Sequence, residues 1–274
     1  MAFNRPEREE LIARAKGMVR EAYFKRDRLL IQTAGALSDA DKASNLLTER
    51  LREWYGMHFP ELNVSEPAKY CELVMLIDKK NPDVDDVKKI IGEQKAREFA
   101  SKSGASIGAD LPPADIDEIK RFASTILQLY KLREKLEAYQ AALAREVCPN
   151  LAHLVEPALA ARLIAKAGGL ERLAIFPAST IQVLGAEKAL FKHLRNHTRP
   201  PKHGVIFQHP YVCNSPKKLR GKIARALAAK IAIAVKADAY SKRFIAKELK
   251  DKFEERVKNI RESASAQTAP AQKQ

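Results

Sequence analysis

Four of the six histidines, His193, His197, His203 and His209, fall within GAEKALFKHLRNHTRPPKHGVIFQHP, Gly185 to Pro210. The same stretch holds five Lys and Arg residues and a single acid, Glu187. Three kinds of chemistry use such a set: metal ligation, acid–base catalysis and contact with a polyanion. Metal ligation fits poorly. His193 and His197 stand one helical turn apart, but Lys192, Arg195, Arg199 and Lys202 surround them with fields that oppose a cation, no H-E-x-x-H occurs, and Cys213 stands alone. Catalysis fits no better, because Glu187 lies beside Lys188, where a helix ion pair accounts for it, and no nucleophile, base and orienting group can be assigned. No catalytic residue, no metal and no cofactor is therefore expected. A metal-dependent enzyme built on the histidines is the rival from another class, and metal analysis of purified protein discriminates it.

Contact with a polyanion remains, and the charge distribution supports it. The 274 residues carry 49 Lys and Arg against 34 Asp and Glu, a net +15. Lys188 to Lys258 alone contains 19 basic and five acidic residues, a net +14, which leaves the rest of the chain near neutrality. A cationic footprint so localised points to nucleic acid. Lys and Arg neutralise phosphates, while TRPPKHGVIF, Thr198 to Phe207, offers a proline-stiffened turn with His203 at its apex. A histidine on such a loop can stack on an unpaired RNA base.

The elements that must position these residues are helical. Apolar residues recur at three- and four-residue steps and alternating runs are nearly absent, so an all-α chain is expected. The segment from about Glu7 to Tyr55 lacks proline and predicts one or two long helices; Asn81-Pro82 and SGASIGADLPP, Ser103 to Pro113, break the helical pattern beyond it. Ile119, Phe122, Ile126, Leu129, Leu136 and Leu143 then form a heptad-like run, with Arg133 and Gln140 at the skipped positions. That pattern suits an antiparallel coiled coil with the helix upstream of Ser103, or equally an amphipathic helix on a globular core. From Pro149 a compact helical domain is expected, closing with a long basic helix from about Ser215 whose alanines, Lys222 to Ala239, permit close packing. SASAQTAPAQKQ from Ser263 lacks bulky apolar residues and reads as a disordered tail. The expected divisions are residues 1–148, 149–262 and 263–274.

Length and an apolar fraction of 46% allow one large or two modest globular domains. Three widely spaced cysteines, Cys71, Cys148 and Cys213, without a C-x-x-C pair, point to a reducing compartment. MAFNRPEREELIARAK has no apolar signal core, and no run approaches the roughly 18 apolar residues a membrane span needs, so an intracellular, soluble chain without a membrane partner is expected.

GAEKALFKHL at Gly185–Leu194, PPKHGVIFQHP at Pro200–Pro210, REWYGMHFPEL at Arg52–Leu62 and SIGADL at Ser106–Leu111 together resemble the Nop-domain family, from about Phe24 to Lys247. The likeness is greatest to its archaeal box C/D branch, whose ribonucleoproteins guide ribose 2′-O-methylation of RNA. The resemblance implies a coiled-coil arm that dimerises two copies, here through Ile119, Phe122, Ile126, Leu129 and Leu136. It further implies a C-terminal domain that clamps a kink-turn guide RNA already bound by a small ribosomal-type protein. His203 would stack on an extruded base, with Lys188, Lys192, Arg195, Lys202, Lys217, Lys218, Arg220 and Lys222 around the RNA and the A-L-F segment near the protein partner. Lys192 departs from the family's usual arginine and loses its bidentate grip on phosphate but not its charge. Fibrillarin is a partner of the family's N-terminal domain, which residues 1–23 do not match. The expected role is a scaffold in an archaeal cytoplasm or a eukaryotic nucleolus; the same-fold alternative is a spliceosomal kink-turn binder without a methylation role. Trp54 reads as a packed anchor and not as an RNA platform.

Overall fold

The computed structural model describes residues 5–23, 25–77, 79, 84–94, 96–97 and 106–266. Among these the regular structure is helical throughout, as the periodicity requires. The main helices are α1 (Arg5–Tyr23), α2 (Arg26–Gly56), α3 (Pro67–Leu76), α4 (Val84–Ile91), α5 (Pro113–Val147), α6 (Pro149–Val155), α7 (Pro157–Ala167), α8 (Leu170–Ile175), α9 (Ala178–Val183), α10 (Glu187–Asn196), α11 (Pro210–Cys213), α12 (Lys217–Lys236) and α13 (Ala246–Ala266). Proline opens α3, α6, α7 and α11, where its missing N–H costs nothing and its φ suits the first turn. The breaker Asn81-Pro82 and Ser103 lie outside the described residues.

Two compact units result: Met1–Gly35 with Ala138–Gln274, and Ala36–Glu137. Long-range contacts account for the placing of residues 25–35 with the C-terminal unit. Lys25 Nζ meets the Glu171 carboxylate at 2.9 Å, the Leu170 N–H donates to Asp27 Oδ2 at 3.0 Å, and Leu30 is fully buried in the same core as Leu143 and Leu151. The opening of α2 thereby belongs to the C-terminal core.

In the unit of residues 36–137, α2 and α5 run antiparallel. Asp41 pairs with Arg133, Thr48 Oγ1 lies 3.2 Å from the Tyr130 hydroxyl, and the Trp54 and Phe122 rings are 6.0 Å apart, so positions that rise along α2 fall along α5. Ile119 and Ile126 are fully buried with Leu51, Tyr55 and Phe59, whereas Phe122, Leu129 and Leu136 are only half-buried. Polar Arg133 holds its place in the seam through its ion pairs with Asp41 and Glu137. Two motifs distant in sequence meet here. Glu61 accepts the Ser106 hydroxyl at 2.7 Å and the Ile107 N–H at 2.9 Å, the Ala109 N–H donates to Met57 O at 2.8 Å, and Lys79 Nζ donates to Gly108 O at 2.7 Å. Only glycine fits at 108, because a Cβ there would lie 2.2 Å from His58 O. Half-buried Trp54 packs in this unit as an anchor.

The other unit is built around α12. Its residues Ile223, Ala224, Leu227, Ala228, Ile231, Ala234 and Val235 are buried in a stripe at three- and four-residue steps. Alanine at three of these positions lets α9 and α13 approach closely, and each buried Ile or Leu contributes about 1.5–3 kcal/mol. Helix α13 packs Leu249, Phe253, Val257 and Ile260 on this core. It continues to Ala266, past Ser263, whose hydroxyl donates to Asn259 O at 2.7 Å; residues 267–274 lie outside the described residues. No helix among the described residues is long and apolar enough to cross a membrane.

Candidate RNA interface

The K-H-G loop is held against the end of α9 by backbone pairing. The Gly204 N–H donates to Gln182 O at 2.8 Å, the Val205 N–H to Leu184 O at 2.7 Å, and the Gln182 side-chain amide to Lys202 O at 2.7 Å. Both glycines here are dictated by this approach. A Cβ on Gly204 would lie 2.0 Å from Leu184 O, and one on Gly185, whose φ is 87°, would lie 2.3 Å from Val205 Cγ2. The turn before α10 is closed by Glu187, whose carboxylate accepts the Gly185 N–H at 2.6 Å. Hydrogen bonds from its own backbone N–H and from Gly185, with Lys166 nearby, hold that carboxyl below the usual range against the pull of burial. The only acid of the segment thus serves the turn.

His203 sits on this loop half-buried, its ring stacked on Phe207 with centroids 4.6 Å apart and planes inclined by 18°. Burial, then Arg220 and Lys202, pull its pKa below the ordinary histidine value, so the ring is neutral at pH 7. The short 3-10 turn Val205–Gln208 places Phe207 against this ring. The Arg220 guanidinium lies over the same phenyl ring, 5.2 Å from its centroid. Arg220 also donates from Nε to Ser215 O at 2.8 Å and from Nη2 to Cys213 O at 3.0 Å. Two of its five donors thereby brace the turn before α12. The Lys202 stem packs over Gly221, where a Cβ would meet its Cδ at 3.5 Å. Loop and α12 are therefore one construction.

Lys217, Lys218 and Lys222 are exposed on the first turns of α12, whose N-terminal N–H groups add partial positive charge. Helix α10 buries none of its residues. Lys188, Lys192 and Arg195 recur along it at steps of four and three, hence on one face, and all are exposed. Phe191 and Leu194, 68% and 64% exposed, lie on the adjoining face. Together they leave a small exposed apolar patch beside the basic face.

The remaining histidines do separate work. His193 Nδ1 is bonded to Thr198 O, His197 ends α10 in the left-handed region at φ 51°, and His209 caps α11 by accepting the Tyr211 N–H at 3.3 Å. His209 is buried edge-on to Phe253, and that burial lowers its pKa and keeps it neutral. Among the described residues no three His, Cys, Asp or Glu side chains converge as metal ligands would. Sequence reasoning missed Phe207; its signal was an aromatic four residues after the loop histidine.

Residues 36–259 match the Nop family, described as "snoRNA binding domain, fibrillarin". The chain belongs to the Nop family. An uncharacterized NOP5 family protein of Methanocaldococcus jannaschii is 48% identical over 249 residues, which cover 90% of this chain and 60% of that protein. Nucleolar protein 56 of Homo sapiens is 36% identical over 241 residues, 84% of this Nop chain and 41% of the human protein. The chain thus spans only about half the length of these relatives. Among solved structures, a fibrillarin/Nop5p complex matches with a TM-score of 0.50 and 26% identity, covering 93% of this chain and 78% of that one.

Proposed function

We propose that this chain is a non-enzymatic RNA-binding scaffold of a box C/D-type ribonucleoprotein, in which it seats on a kink-turn guide RNA already held by a ribosomal-type protein. The observation that carries this reading is the union of the G-A-E-K turn, the K-H-G loop and the start of α12 in one basic construction, with the neutral His203 ring backed by Phe207. A base extruded from the kink-turn continues that stack. Lys217, Lys218, Lys222 and Lys202 meet the adjacent phosphates, with Lys188, Lys192 and Arg195 on α10 beside them. Phe191 and Leu194 cover an apolar patch of the kink-turn protein. Arg220 positions the loop through its bonds to Ser215 and Cys213.

Two copies associate through α5, whose half-buried Phe122, Leu129 and Leu136 continue into exposed Leu132 and Tyr139, 49% and 45% exposed, at seven-residue repeats. Fibrillarin, present with Nop5p in the solved neighbour, joins the assembled particle and supplies the methyl transfer there. The test is stepwise reconstitution. The chain should bind kink-turn RNA tightly only with the kink-turn protein present, and lose affinity steeply with salt. A chain that ignores the pre-formed RNA–protein complex would overturn the proposal.

A further inference from the structure

At the end of α12 remote from the K-H-G loop, the backbone makes a π-helical turn over Ala237–Ser241, then places Lys242 in the left-handed region at φ 56°. The π turn is rare and the left-handed φ is costly for a non-glycine residue, so both persist only where the surrounding structure holds them. What holds them is a buried polar pair. Asp238, 1% exposed, accepts the N–H groups of Asn150 and Leu151 at 3.0 and 2.9 Å and the Asn150 side-chain amide at 2.8 Å. Asn150, equally buried, then grips the next loop on both sides of Phe244: its amide donates to Arg243 O at 2.8 Å and its carbonyl accepts the Ile245 N–H at 2.6 Å.

The residue so carefully fixed is not itself packed away. The Phe244 ring is 55% exposed, oriented by the edge of His153 at 5.7 Å and 73°, and Tyr240 in the π turn is 63% exposed. Lys236, Arg243 and Lys247 each lie within four residues of Tyr240 or Phe244, all exposed and none in a salt bridge among the described residues. Of the two acids near them on α13, Glu248 is tied to Lys252 at 2.5 Å, and exposed Asp251, one turn beyond Lys247, forms no salt bridge with it among the described residues. Preorganised aromatic faces interleaved with unpaired cations are what an unpaired RNA strand requires: rings for bases, cations for the phosphates between them. A protein surface would gain from the rings but would leave three cations to desolvate.

We propose that Tyr240 and Phe244, with Lys236, Arg243 and Lys247, form a second RNA-binding surface, specific for single-stranded RNA. It stands apart from the His203 site. Gly221, packed under Lys202, and Ala237, where the π turn begins, are 16 residues apart, about 24 Å at the α-helical rise. The surface therefore takes strand that runs beyond the kink-turn.

The test titrates the full chain against a fluorescent oligouridine of about 12 nucleotides, a length within the range of single-strand sites. Tyr240→Ala with Phe244→Ala should weaken this binding roughly 10-fold or more, whereas Tyr240→Phe with Phe244→Tyr should retain it. Association with the kink-turn RNA–protein complex should change less than about twofold in both, and His203→Ala should show the reverse pattern. Oligouridine that binds the alanine and the aromatic variants alike overturns the proposal, as does failure of the unmutated chain to bind it. Self-association lost with the alanine pair would assign the face to a second copy and overturn it equally. Oligouridine binding through Phe244 in a chain that ignores the kink-turn complex would uphold this surface while sinking the role proposed for His203.

Discussion

Gly204→Ala tests the construction of the candidate interface at its tightest point. The added methyl would lie 2.0 Å from Leu184 O and 2.7 Å from two carbonyl carbons, all of them backbone atoms that cannot rotate aside. To reach even 3.0 Å the loop must move by about 1 Å. That movement strains or breaks the Gly204 and Val205 hydrogen bonds to Gln182 and Leu184. At about 0.5–1.5 kcal/mol each, the two account for roughly 1–3 kcal/mol of stability. The same shift drags His203 off Phe207, and losing a stacked base costs about 1–3 kcal/mol, or roughly 5- to 150-fold in affinity for the kink-turn complex. Urea denaturation and equilibrium binding measure the two effects. Gly35→Ala is the control: it sits inside α2 with nothing within 4 Å of the new methyl, and should stabilise by about 0.5–1 kcal/mol without touching RNA affinity. If Gly204→Ala melts and binds like the unmutated chain, the loop is not held as described.

His203→Ala should weaken binding to the kink-turn complex roughly 5- to 150-fold, and His203→Phe should recover part of that loss in the same titration; indistinguishable alanine and phenylalanine variants refute stacking. Lys218→Ala should lower the slope of log affinity against log salt by about one, whereas Arg220→Lys, which keeps the charge but forfeits the paired bonds to Ser215 and Cys213, should chiefly lower the melting temperature. Leu132→Glu with Tyr139→Glu should yield monomers in light scattering with little change in melting, while Ile126→Ala, in the buried core, should cost about 2–5 kcal/mol of stability. Burial raises the folded pKa of Asp238 against the pull of three hydrogen bonds, so its contribution to stability is greatest below the unfolded carboxylate pKa and falls as pH rises through the folded value. The stability advantage of the unmutated chain over Asp238→Asn should therefore shrink as pH rises from the ordinary Asp range towards neutrality; an advantage that grows over that range contradicts the sign.

What was legible in the sequence was whatever needs only residue type and local spacing. The cationic segment, the stiff Pro-Pro-Lys-His-Gly turn and the long helices arise from neighbours within one or two turns of chain. The unit boundary did not, because it depends on Asp27 reaching Leu170 and Leu30 joining a core whose other members lie more than a hundred residues later. Spacing also put Ile119, Phe122, Ile126 and Leu129 in one seam, yet it cannot tell a face turned towards α2 from a face left over. The structure separates them: the isoleucines are sealed inside, and Phe122 and Leu129 stay half-exposed. The same limit applies to charge. Arg220 and Lys218 count alike in the net +15, but the guanidinium commits two directional donors to the Ser215 and Cys213 carbonyls, whereas the exposed Lys218 ammonium makes no hydrogen bond or salt bridge among the described residues. Composition therefore located the cationic segment, and only hydrogen-bond geometry could tell which of its cations also brace the fold.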